Sequence, residues 1–140
     1  MGSSPAQHPG ALESFKNELD RTADLTLLGD LAAQLAYEPT LAILVLQRMA
    51  TLSPHNLNYQ IRLGFAHYSN GDDAPATDTV NEILKRAPQN IDALNLLAAL
   101  TPDPDERRKI FAKILTIDPH NRAAFDNLVL LRPPEEHDDH

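Results

Sequence analysis

Six histidines and twenty carboxylate side chains are the groups in this 140-residue chain that have lone pairs to offer a metal or a proton. Their densest cluster is Glu135-Glu136-His137-Asp138-Asp139-His140, whose imidazoles and carboxylates are the ligand types that transition metals take. Ligands make a site only when a fold holds them in place. Pro133-Pro134 stops a helix just before this stretch, so residues 133–140 read as an acidic, disordered tail. His55 and His120 each stand between a proline and an asparagine, which makes them a repeated turn feature. His67 falls inside an apolar pattern and reads as a packed imidazole. Cysteine is absent, which excludes thiolate chemistry and disulfides. The chain has no glycine-rich phosphate loop, nucleophile elbow or H-E-x-x-H. The expectation is a protein without catalysis, cofactor or metal.

The elements around these residues are set by three prolines. Pro54, Pro88 and Pro119 recur at intervals of 34 and 31 residues, each followed two positions later by Asn56, Asn90 or Asn121. Eight positions before each proline stands a large apolar residue, Leu46, Val80 or Phe111. Proline disfavours helix for the residue before it, so Ser53, Ala87 and Asp118 are expected to end helices. The asparagines are then placed to cap the next ones. A period of about 34 with this punctuation predicts stacked helical hairpins. Helix pairs are expected near 23–36 with 39–52, 56–70 with 74–86, and 90–101 with 104–117. A first helix near 10–20 carries Leu12, Phe15 and Leu19 on one face, and a last one lies near 121–132.

The middle segment reads Gln60-x2-Leu63-Gly64-x2-His67, then Ala76-x3-Val80, then Pro88. It resembles the tetratricopeptide repeat, whose pattern is W-x2-L-G-x2-Y…A-x3-F…P. The first copy reads Leu25-x2-Leu28-Gly29-x2-Ala32, then Ala42-x3-Leu46 and Pro54. The third reads Leu94-x2-Leu97-Ala98-x2-Thr101, then Phe111 and Pro119, with Arg107 where a small alanine is expected. Phe125-x2-Leu128-Val129 begins a fourth. The resemblance implies an all-α, right-handed superhelical stack of antiparallel helix pairs over residues 10–132, after a disordered tail at 1–9.

It also implies a concave groove lined by the first helix of each pair. In that register Thr26, Asp30, Gln34, Asn58, Ile61, Phe65, Tyr68, Asn95 and Asp126 face a partner. None of these is a lysine or arginine, whereas co-chaperone members of the family grip carboxylates with cations there. An apolar or basic peptide or protein segment is the expected partner.

Thr40-Leu41-Ala42-Ile43-Leu44-Val45-Leu46 is uncharged through nearly two turns, more apolar than stacking on one side requires. Ile43, Leu44 and Val45 are therefore expected to be covered either by the N-terminal segment or by a second chain. Leu130 and Leu131 in the closing helix raise the same expectation of weak self-association. Net charge is −8, half of it in the final six residues, with no basic stripe; nucleic acid is an unsuitable partner. No apolar run is long enough for a membrane span, and Met1-Gly2-Ser3-Ser4-Pro5 lacks the features of a secretory signal. The reading is a cytoplasmic, non-catalytic scaffold or adaptor. The alternatives are a homo-oligomerisation element and an accessory domain of a larger enzyme.

Overall fold

The computed structural model describes residues 9–132, and among these every regular element is an α-helix. In order they are α1 (Pro9–Arg21), α2 (Leu25–Gln34), α3 (Pro39–Leu52), α4 (Leu57–Ser69), α5 (Asp73–Arg86), α6 (Ile91–Leu100), α7 (Pro104–Ile117) and α8 (Arg122–Leu131). The chain divides between Thr79 and Val80 into two compact units, with α5 running from one into the other.

Side-chain caps explain where the first unit's helices begin. Asp24 Oδ1 accepts from the main-chain N–H groups of Thr26 (3.0 Å) and Leu27 (3.2 Å), and Asn56 Oδ1 from that of Asn58 (3.0 Å). Pro39 opens α3, where its missing N–H costs nothing. Between α4 and α5 the chain reverses through Gly71 at φ 79°, a left-handed conformation suited to glycine.

α3 packs against α1, α2 and α4. Leu19 of α1, Leu28 and Ala32 of α2, and Val45, Leu46 and Met49 of α3 form one buried cluster, with Phe15, Leu44 and Leu63 packed on it. A helix with neighbours on three sides must be apolar almost all round, which accounts for the uncharged run in α3. Ile43 is 7% exposed, Val45 is fully buried and Leu44 is half-buried. The expectation that Ile43, Leu44 and Val45 form a self-association surface is therefore overturned. Helix α1 is part of their unit's own packing, and Arg48 Nε of α3 donates to the Thr22 carbonyl at 2.9 Å to hold the two together.

The second unit is built in the same way. Asn90 Oδ1 accepts from Ala93 N (2.9 Å), Asp103 Oδ1 from Asp105 N (3.2 Å) and Asn121 Oδ1 from Ala124 N (2.9 Å). Helix α7 packs on both α6 and α8. Leu94, Ala98, Phe111, Ile114 and Ala124 form the buried centre, with Ile110, Leu128 and Leu131 packed on it. Arg108 Nη1 donates to the Leu131 carbonyl at 2.7 Å, tying α7 to the last turn of α8.

Candidate partner-binding surfaces

On α2, Thr26, Asp30 and Gln34 are exposed, at the i+4 spacing of one helical face. Beside them a slot of about 190 Å³ lies between α1 and α2, with Phe15, Leu28 and Leu31 in its floor. Its rim holds Glu18, Asp30 and Gln34, together with Leu27, which is 56% exposed. Arg21 Nη2 pairs with Glu18 at 2.8 Å, whereas the Asp30 carboxylate has no partner among the described residues. The slot thus joins apolar surface to one unneutralised negative charge.

On α4, Asn58, Phe65 and Tyr68 are exposed, the two rings by 38% and 40%. Ile61 is not a groove residue: it is 8% exposed and belongs to the core. Ile61, Gly64 and His67, three apart, make the buried stripe of α4, which turns the next position outward. Arg62 is exposed there, on the same side as Asn58 and Phe65, and it gives this face a cation that the repeat register did not supply.

In the second unit, Asn95 is half-buried and lines a cleft of about 390 Å³ together with Arg107, Phe111, Asn127 and Leu130. Asp126 does not line that cleft; it is exposed and paired with Arg122 Nε at 3.2 Å. Of the two closing leucines, Leu130 is 80% exposed, but Leu131 is half-buried against the core, which corrects its assignment as a self-association residue. Phe125 and Val129 are each about half exposed, and the Arg122 guanidinium lies 5.7 Å from the centroid of the Phe125 ring.

His67 is buried, with Nδ1 3.8 Å from Asp72 Oδ2 and without a hydrogen-bond partner. His55 and His120 are exposed in their turns. Among the described residues no three potential ligands cluster around a metal position, and no helix is long and apolar enough to cross a membrane. The acidic tail, with His137 and His140, lies outside the described residues.

Helices joined in pairs, punctuated by proline and asparagine and packed through small residues such as Ala32, Ala98 and Ala124, define a helical-hairpin repeat protein. Residues 33–100 match the family model described as tetratricopeptide repeat, so this segment is a tetratricopeptide-repeat segment. Such repeats generally mediate protein–protein interaction. No curated protein matches the chain.

Proposed function

We propose that the chain is a non-catalytic scaffold or adaptor that holds a peptide or protein segment on the exposed faces of its repeat helices. The observation that carries the reading is the slot between α1 and α2, where apolar surface adjoins the unpaired carboxylate of Asp30. An apolar side chain beside a lysine or arginine suits that combination, since the rim charge orients the cation while the floor removes the apolar group from water. Phe65 and Tyr68 extend the same unit's exposed apolar area, in the form of aromatic side chains that commonly anchor partners.

The test is a selection of random displayed peptides on the wild-type chain, followed by rescreening on Leu27→Glu with Asp30→Asn and on Phe65→Ala with Tyr68→Ala. The expected outcome is enrichment of peptides with adjacent apolar and basic residues, lost in one or both variants while helicity and melting temperature hold. Peptides that bind both variants as well as wild type would overturn the reading.

A second reading is a homo-oligomerisation element. Phe125, Val129 and Leu130 on α8 favour it, because they leave that helix with exposed apolar side chains.

A further inference from the structure

Arg107 occupies the position where the repeat keeps a small alanine, and its chemistry is not accounted for by packing. It is half-buried, its Nε is wholly shielded, and that N–H has no hydrogen-bond acceptor. Its neighbours on α7 are engaged elsewhere. Arg108 pairs with Asp105 and donates to the Leu131 carbonyl, while Lys109 pairs with Glu106 at 3.2 Å. Among the described residues the Arg107 guanidinium makes neither an ion pair nor a hydrogen bond. A shielded cationic donor without an acceptor is costly, and an anion placed against it relieves that cost.

The cleft beside Arg107 has the remaining parts of an anion site. Asn95 of α6 and Asn127 of α8 both line it. Asn127 Nδ2 spends one of its two N–H groups on the Ala123 carbonyl at 2.8 Å, which leaves the other for a ligand. The Asn95 side chain has no partner among the described residues. No carboxylate lines the cleft; the remaining surface comes from Ala98, Phe111 and the two leucines of α8. Guanidinium and amide donors against apolar walls match a carboxylate carried on an apolar body better than a fully hydrated inorganic anion.

We propose that this cleft is a carboxylate-binding site for a partner peptide, with Arg107 as its anchor and Asn95 and Asn127 as flanking donors. The cation comes from the second helix of a hairpin. The inference rests on the interaction-module reading only in taking a partner as the source of the carboxylate, and it concerns a different surface from the Asp30 slot.

The experiment is a heteronuclear NMR titration of the full chain with N-acetylleucine, using N-acetylleucinamide as the uncharged control and inorganic phosphate as the second anion. The Arg107 Nε–H and the Asn95 and Asn127 side-chain amides are expected to shift saturably with N-acetylleucine and to stay in place with the amide. Arg107→Gln is expected to weaken the response at least about tenfold, and Arg107→Lys to keep part of it, with both variants folded as judged by their backbone spectra. An Arg107 resonance that does not move, or that responds to phosphate as strongly as to N-acetylleucine, overturns the proposal. So does a response that emerges only after Glu135, Glu136, Asp138 and Asp139 are replaced by their amides, since the chain's own acids would then be the occupant. None of these outcomes bears on peptide selection at the Asp30 slot, so the two readings fail separately.

Discussion

Arg48 Nε donates to the main-chain carbonyl of Thr22 at 2.9 Å, across 26 positions of sequence, and so fastens α3 to the residue that follows α1. The bond fixes the end of α1 beside α3, where Leu19 joins Val45, Leu46 and Met49. The N-terminal helix is thereby part of the first unit's core and supplies cover that the apolar α3 needs.

Leu19→Ala is accordingly expected to destabilise the protein by about 2–5 kcal/mol, the usual cost of emptying a buried leucine site. Arg48→Ala removes one charge-assisted bond at a half-buried position and is expected to cost about 1–2 kcal/mol. Urea unfolding of both variants measures this. Wild-type stability in Leu19→Ala would show that α1 does not contribute to the core.

Two glycines should respond to alanine with opposite signs. Gly29 lies inside α2, and a Cβ there meets only Met49 Cε at 3.8 Å, an ordinary contact. Gly29→Ala is therefore expected to stabilise by about 0.5–1 kcal/mol through helix propensity and reduced unfolded-state entropy. Gly71 has open space around it but a φ of 79°, so the obstacle is the backbone itself. Gly71→Ala is expected to destabilise by about 1–2 kcal/mol. Thermal melts of the pair decide it, and equal shifts would contradict the argument.

Helix boundaries were legible in the sequence because proline and asparagine act locally: Ser53 and Asp118 end α3 and α7, and Asn56, Asn90 and Asn121 each cap a helix through Oδ1. Facing was less legible. Ile61 and Arg62 are adjacent, and one step along a helix is about 100° of rotation, so a small error in register exchanges core for surface. The Arg107 cleft was hidden for another reason. Its lining comes from three helices, and Arg107 lies on the second helix of its hairpin, outside the faces that a first-helix register considers. The substitution of arginine for a small residue was the available signal.

Charge at the Asp30 slot yields a salt-dependent prediction. Peptides selected for adjacent apolar and basic residues should lose affinity as salt is added, because the rim pair is exposed to screening. Asp30→Asn should weaken them by roughly two- to fivefold, the scale of an exposed ion pair, and should flatten the salt dependence. Glu18→Gln should do less, since Arg21 already neutralises that carboxylate. Fluorescence anisotropy at several salt concentrations measures both, and an unchanged slope in Asp30→Asn would remove Asp30 from the site.

Self-association, where it occurs, should run through α8 rather than α3. Leu130 is 80% exposed and Phe125 and Val129 about half, whereas Val45 is fully buried and Ile43 nearly so. Burying a leucine-sized side chain contributes about 1.5–3 kcal/mol, so a pair of α8 helices has enough to form a weak dimer at high concentration after the entropic cost of association. Light scattering coupled to size exclusion should show mass rising with concentration for the wild type and constant for Leu130→Glu. Leu44→Glu should instead lower the melting temperature without changing the wild-type concentration dependence, because Leu44 packs on its own unit's core. A wild type that stays monomeric over a hundredfold range of concentration would exclude the oligomerisation reading. A dimer that Leu130→Glu leaves intact would place the interface away from α8.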